Sequence, residues 1–217
     1  MKPFGGSYNS RRSLVSVTGY PQDIPSWIES VRSLNRKPDK IVLVLNIEID
    51  KSDFDLDGIT VVGWFGDFAF SDMMNLAFEN CNTDWVSWVG IDDRYRPHAL
   101  DKIDTCVADV LALGFQYDTG QIWTPANVTN EQVLSLHANM ITCGSPVRRW
   151  LWERNSFDQR IAPFDDWCFW VGTAVSGATY DCTLNIDVDY AYAGHTVPSD
   201  SLARATVTQY LVNQLGI

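Results

Sequence analysis

The run Trp85-Val86-Ser87-Trp88-Val89-Gly90-Ile91 is apolar, β-branched and aromatic, and it stops at two adjacent carboxylates, Asp92 and Asp93. Such a run reads as a strand buried in a sheet. Arg94, Tyr95 and Arg96 follow, and Pro97 then suits the first turn of a new helix. A buried strand that delivers two anions to its end needs positive charge there, because an unpaired carboxylate is costly to take out of water. A divalent cation backed by phosphate oxygens meets that need: hard cations take carboxylate ligands and bridge to the phosphates of a nucleotide. The plainer reading is an acidic turn that caps the following helix.

The flanking sequence supplies a sheet for this strand. Leu14-Val15-Ser16-Val17-Thr18 reads as a first strand, broken by Gly19-Tyr20-Pro21. A helix is expected from near Pro25, with Ile24, Trp27, Ile28, Val31 and Leu34 at spacings of three and four. Lys40 to Leu45 is apolar throughout after its first residue, as in a strand covered on both faces. Strand, helix, strand makes a βαβ unit, whose crossover is right-handed. Residues 46–57 form an acidic loop, and Ile59 to Trp64 a third strand. Ser71 caps a helix with Met73, Met74, Ala77, Phe78 and Cys81 on one face. Pro97 to Leu113 is expected to be helical, with Leu100, Ile103, Val107, Val110 and Leu111 inward and Gly114 as its stop. This order predicts an open α/β sheet with helices on both faces. Ligands on such sheets bind beyond the carboxyl ends of the strands. Thr18-Gly19-Tyr20, Asn46 and Asp92-Asp93 all fall at such ends and are expected to line one crevice.

The second half is less regular. Short strands are expected at Phe115–Tyr117 and Gln121–Trp123, around a turn at Asp118-Thr119-Gly120. Helices are expected over Asn130–Asn139, from Asp166 to about Gly177, and over Ser201–Leu215, with a strand over Thr183–Ala193. Asp165 and Asp166 then stand at the positive end of a helix.

Charge and cysteine usage narrow the function classes. The 217 residues carry 27 acids against 16 bases, a net charge of -11. That balance argues against nucleic acid as a partner, since nucleic-acid binders carry a basic footprint. Arg148-Arg149 is either a solvated loop pair or a screen for phosphate charge. Five widely spaced cysteines without a CxxC pair fit reduced thiols rather than a zinc site or a disulfide framework. Residues 1–6 lack the apolar core of a signal peptide, and no apolar run reaches 18 residues. The expectation is a cytoplasmic protein with no membrane span.

Taken in order, five segments resemble the signatures of one family. They are Val15-Ser16-Val17-Thr18, Ser71-Asp72-Met73-Met74-Asn75, Val89-Gly90-Ile91-Asp92-Asp93-Arg94-Tyr95-Arg96-Pro97, Phe164-Asp165-Asp166-Trp167 and Tyr192-Ala193-Gly194-His195. The set, which runs from about residue 14 to 198, resembles the inverting family-2 glycosyltransferases of the GT-A fold. The resemblance implies one GT-A-like domain over 1–217: an open mixed, mostly parallel sheet with helices on both faces. Its nucleotide-sugar-binding half would cover about 14–114 and its acceptor-binding, catalytic half about 115–217. It implies transfer of a sugar from a nucleotide-diphosphate donor, UDP-sugar foremost, to a glycan or other hydroxyl acceptor, with Mn²⁺ or Mg²⁺ as cofactor. Asp93 would be a direct metal ligand and Asp92 would sit at the metal or the donor ribose. His195 would contact the metal or the diphosphate. Thr18, Tyr20 and Asn46 would hold base and ribose, with Tyr20 stacking, and Asn75 would lie near the donor. Asp166 would be the general base, with Asp165 orienting it or the acceptor.

The sequence departs from the family at three places. Gly90 stands where the metal motif often has its first Asp. The second strand ends Leu45-Asn46-Ile47-Glu48 instead of in an acidic pair, and Asn155-Ser156-Phe157-Asp158 replaces Gly-Gly-Phe-Asp. Two alternatives stay open. A nucleotidyltransferase-like domain would use the same metal acids, but it calls for a basic, Gly-rich loop near the first strand. Residues 14–24 contain no Lys or Arg and one Gly. A non-catalytic nucleotide-binding module would keep the fold and turn nothing over.

Overall fold

The computed structural model describes residues 11–18, 20–64, 69–161, 164–191 and 200–215. The apolar runs of the first half become β1 (Arg12–Thr18), β2 (Lys40–Leu45), β3 (Ile59–Gly63) and β4 (Trp85–Trp88), separated by α1 (Ile24–Ser33) and α2 (Phe70–Glu79). β1 is paired in parallel with β2 on one side and β4 on the other, and β3 continues the parallel set beyond β2. The second half adds β5 (Arg94–Tyr95), β6 (Val110–Tyr117), β7 (Ile122–Trp123), β8 (Val147–Arg148) and β9 (Tyr180–Tyr190). Its helices are α3 (Asn130–Leu134), α4 (Arg149–Arg154), α5 (Asp165–Val175) and α6 (Asp200–Leu215). The sheet runs β3-β2-β1-β4-β8-β6-β9-β5, with β7 hairpinned onto β6. β6 and β9 are parallel, and the two-residue β8 joins the halves through antiparallel pairs with β4 and β6.

The continuous apolar runs follow from two cores, one on each face. Val15, Val17, Val42, Val44, Val86 and Trp88 point to the face covered by α2, α4, α5 and α6. The alternate residues Leu14, Leu43, Leu45, Trp85, Leu111 and Leu113 meet α1 and residues 99–108 on the other. Each such side chain contributes about 1.5–3 kcal/mol of burial free energy. Trp88 stacks on Trp170 of α5 with ring centroids 5.0 Å apart, and Phe157 stacks on Phe169 at 4.6 Å. These contacts fix α5 over the end of β4.

The expected helix over Pro97–Leu113 does not form. Residues 97–100 are turns, Asp101–Asp104 is one 3-10 turn, and the chain becomes β6 from Val110. The helical spacing was real, but Val110-Leu111-Ala112-Leu113 is also an unbroken apolar run, and in β6 it fills both cores at once. Val107, expected inward, is 96% exposed. Asp109 pins the strand start: its Oδ2 accepts from Thr179 N (2.9 Å) and Thr179 Oγ1 (2.7 Å). Gly114 is therefore no helix stop. It lies inside β6 beside a register shift in β9, where a Cβ would sit 2.3 Å from the Asn185 carbonyl oxygen. A glycine inside a strand marks such a close backbone approach.

Other boundaries move less. β4 ends at Trp88 instead of Ile91, α3 stops at Leu134 after a Thr129–Gln132 capping box, and β9 begins three residues early. α4, β5 and β8 went unforeseen because each is too short to show a period. The last residues of the expected 183–193 strand, with His195, lie outside the described residues.

Gly114→Ala forces backbone or strand to move and is expected to cost about 1–3 kcal/mol, the usual range for overpacking. Urea unfolding should show a lower midpoint at unchanged slope.

Candidate functional site

Because β1, β2 and β4 are parallel, their carboxyl ends lie along one edge. Asn46 N donates to Thr18 O (3.2 Å), which ties the first two ends together. The buried Thr18 hydroxyl accepts from Tyr20 N (2.6 Å), folding the chain sharply and leaving Tyr20 63% exposed. Asn46 Oδ1 is buried and has no hydrogen-bond partner. Ser16 Oγ donates to Val89 O (2.9 Å), which holds the chain leaving β4 against β1.

Asp92 and Asp93 sit on the turn past β4, closed by Asp93 N donating to Gly90 O (3.1 Å). Their carboxylates converge on Gly90: a Cβ there would lie 2.6 Å from Asp92 Oδ1 and 2.9 Å from Asp93 Oδ2. The family's acid at this position would fill the space the two carboxylates use, so Gly90 goes with their close approach. Asp93 is 3% exposed. Its Oδ1 accepts from Ala191 N (2.9 Å), just beyond β9, and its Oδ2 from Gly90 N (3.1 Å). Burial pushes its pKa up to about 8, with the Asp92 charge adding to the shift. Asp92 is half-buried. Arg94 clamps the turn from outside: its guanidinium donates to Ile91 O and Asp93 O, both at 2.7 Å, and to Ser26 Oγ of α1. Sequence reasoning missed this arginine because two of its partners are backbone carbonyls, which carry no sequence signature, and the third, Ser26, is remote in the chain.

The second acidic pair opens α5. Asp165 is buried, and its Oδ2 accepts from Ser71 Oγ of α2 at 2.6 Å; burial raises its pKa. Asp166 is half-buried. Its Oδ1 accepts from Trp167 N (2.6 Å) and its Oδ2 from Asn139 Nδ2 (3.0 Å). Burial, then the neighbouring Asp165 charge, pushes the Asp166 pKa up to about 6.

The two pairs share a neighbourhood. Cys143 Sγ donates to Tyr190 Oη at 3.7 Å. Burial, then Asp93, and more weakly Asp166, push the Cys143 thiol up. The Tyr190 hydroxyl is raised by Cys143 first, then by burial, Asp93 and Asp166. The hydrogen bonds link the same residues: Asp93 holds Ala191 N next to Tyr190, and Asp166 is held by Asn139 on the loop that carries Cys143.

Other expected residues are differently employed. Asn75 Nδ2 donates to Phe157 O (2.9 Å), while its Oδ1 accepts from Trp152 Nε1 (2.9 Å) and Phe157 N (3.0 Å). Arg148 is buried with its guanidinium 4.0 Å from the Trp85 ring centroid, and β8 pairs it with Trp85. Trp85 begins β4, so Arg148 stands at the opposite end of that strand from Asp92 and screens nothing there. His98 Nε2 meets Ile186 O (3.1 Å). His195 lies outside the described residues.

Among the described residues, no three His, Cys, Asp or Glu side chains form a metal-holding group. Two converging carboxylates nevertheless suit a magnesium- or manganese-like ion, which keeps waters and phosphate oxygens as its other ligands.

No family model matches the chain, and no curated protein matches it by sequence. The architecture is that of the GT-A-type glycosyltransferases. The crystal structure of residues 1–349 of S. aureus TarS superposes with a TM-score of 0.72 at 14% identity, over 94% of this chain and 66% of that one. TarS has also been crystallised with UDP and with UDP-GlcNAc. A mannosyltransferase from Pyrobaculum calidifontis, in complex with GDP-Man and Mn²⁺, superposes with a TM-score of 0.67 at 12% identity, over 95% of this chain and 64% of that one. The chain thus spans just under two thirds of the length of these structures. No described helix is long and apolar enough to cross a membrane.

The raised Asp93 pKa has a thermodynamic sign. The folded state holds this proton up to about pH 8, whereas an unfolded aspartate releases it near pH 4. The group's contribution to stability is complete below about pH 4 and is lost as pH rises through 8. Unfolding free energies of the wild type, measured against Asp93→Asn, should fall steadily across that window.

Proposed function

We propose that this chain is a metal-dependent glycosyltransferase, moving a sugar from a nucleotide-diphosphate donor to an acceptor hydroxyl with inversion. The observation that carries the reading is a chain of contacts within a GT-A-like fold: Asp93 holds Ala191 N beside Tyr190, Tyr190 Oη meets Cys143 Sγ, and Asn139, four residues before Cys143, holds Asp166. The UDP, UDP-GlcNAc, GDP-Man and Mn²⁺ held by the similar structures support a nucleotide-sugar donor and a divalent ion here. In this reading residues 14–114 bind the donor and 115–217 present the acceptor.

Asp92 and Asp93 would hold the Mn²⁺ or Mg²⁺, with the roles divided by burial. Asp92 is the more accessible carboxylate and would be the direct ligand. Asp93, whose two oxygens already accept backbone N–H groups, would fix the turn from behind. That exchanges the order implied by the family resemblance. When bound, the ion supplies positive charge to the departing diphosphate. Asn46 Oδ1 offers an open acceptor for a base or ribose, and the exposed Tyr20 ring a stacking surface, on the Thr18 turn. Asn75 keeps a positioning role, holding Phe157 and Trp152 to α2. His195 as a metal or diphosphate contact rests on the resemblance alone.

Asp166 is the proposed base. A pKa of about 6 leaves it ionised at neutral pH and still basic enough to take a proton. As the acceptor oxygen bonds the anomeric carbon, its proton passes to the Asp166 carboxylate and the diphosphate leaves with the bonding pair. Asp165, anchored to Ser71, positions the first turn of α5 beneath it. The donor sugar would be a hexose and the acceptor a glycan or similar hydroxyl compound; the acidic balance disfavours nucleic acid.

Thermal unfolding with UDP, GDP, ADP and CDP, each with and without Mn²⁺ or Mg²⁺, tests the donor site. A ligand that binds only the folded state raises the melting temperature. At least one metal-dependent shift is expected, and Asp92→Ala should abolish it; no shift with any nucleotide overturns the reading.

Asp166→Asn is expected to keep donor binding and lose about 10²–10⁴-fold in transfer rate. In the wild type, kcat/KM should fall about tenfold per pH unit below pH 6, because only the ionised base accepts a proton. Transfer by Asp166→Asn at the wild-type rate removes Asp166 from the chemistry.

A further inference from the structure

A cavity of about 620 Å³ lies between the 97–104 turns, residues 126–128 and the first half of β9. Small-molecule sites occupy about 300–1,000 Å³. Its walls include His98, Lys102, Tyr180, Cys182, Leu184 and Asp187. Asp187 lies four residues before Ala191, the residue that binds Asp93. At about 3.3 Å per residue, that is roughly 13 Å along the strand. The cavity is therefore separate from the Asp92–Asp166 site.

Asp187 is the informative residue. Its side chain is 1% exposed, and the bulge opposite Gly114 sets it at the cavity wall. Oδ2 is satisfied by Thr183 Oγ1 and, at 3.4 Å, by Gly114 N. Oδ1 is buried with no hydrogen bond; the nearby His98 Nε2, 3.6 Å away, is engaged with Ile186 O. A buried acceptor left unmade costs about 1–3 kcal/mol, so a ligand that donates to it has a built-in advantage.

The walls discriminate among ligands. Asp101 and Asp181 line the same space, which opposes an anion. Lys102 is satisfied by Asp181 Oδ1 and Cys182 O, both at 2.8 Å, so the wall brings its own cation. No described cluster of three ligating side chains exists to hold a bare metal ion. An apolar ligand would leave Asp187 Oδ1 unpaired. A neutral compound with hydroxyl donors at its edges and C–H faces between them satisfies all four conditions, with Tyr180 and the 81% exposed Leu184 offering apolar contact. We propose that this cavity is a binding site for a neutral mono- or disaccharide, with Asp187 Oδ1 accepting from a sugar hydroxyl. The site stands on its own geometry and does not require the transferase reading.

Cys182 provides the readout. It is a free, half-buried thiol in the cavity wall, while Cys143 reports on the other site. Iodoacetamide labelling of the intact protein, mapped by peptide mass spectrometry, is run with glucose, galactose, mannose, N-acetylglucosamine, maltose and chitobiose. At least one sugar is expected to slow Cys182 labelling about fivefold at four times its dissociation constant, by mass action. Cys143 labelling should stay unchanged with that sugar, and UDP with Mn²⁺ should leave Cys182 unprotected. Leu184→Asp, at an exposed wall position, and Asp187→Asn if it folds by circular dichroism, should lose the protection. The proposal is overturned if no sugar protects Cys182, if protection survives in Leu184→Asp, or if MnCl₂ or spermidine protects as well as the sugars. Failure of the nucleotide shifts leaves these outcomes untouched, so the two readings fail separately.

Discussion

The buried Asp93 carboxylate holds the two halves of the molecule at one point. It accepts from Gly90 N at the end of β4 and from Ala191 N at the end of β9, strands separated in the sheet by β8 and β6. A charge so deeply buried is expensive, and its raised pKa expresses that expense. The return is positional. The turn bearing Asp92 and the end of β9 bearing Tyr190 are brought together by it, and Cys143 Sγ in turn meets Tyr190 Oη.

The second acidic pair is positioned by independent means. Asp165 is bonded to Ser71, so the start of α5 is tied to the start of α2, and the Trp88–Trp170 stack presses the same helix onto β4. The catalytic proposal therefore rests on residues that the core holds from beneath. Asp166 projects from the first turn of a helix that is buried all round, with Trp167 through Ala174 all shielded from solvent. Rigid placement of this kind is what a general base requires, since small displacements of a reacting group cost rate steeply.

Asp92 and Asp93 illustrate how similar residues separate by environment. Side by side in sequence, they differ in exposure and in what their oxygens hold. Gly90 is part of that difference: a side chain there would occupy the space the two carboxylates enter. The acid that the resembled family often carries at position 90 is absent here, and its place is room that the two neighbouring carboxylates use.

Much of the sheet was legible because its strands are buried on both faces and so appear as apolar runs; β1, β2, β3 and β4 fall where these runs do, and the acids after β4 and before Trp167 stand out by breaking such runs. What the sequence alone could not decide was any element whose conformation depends on a distant partner. Val110–Leu113 fits a helical spacing and a strand equally well, and only pairing with β9 and β8 selected the strand. Gly114 looked like a stop until the Asn185 carbonyl approached it from 71 residues away. Arg94, Asn139 and Asp187 act through backbone atoms or through side chains remote in the chain, so no local pattern announced them. Local composition determined which segments are strands and helices and where charge interrupts them. Long-range packing decided which of those charges face one another, because burial and pairing energies belong to contacts that exist only once the chain has folded.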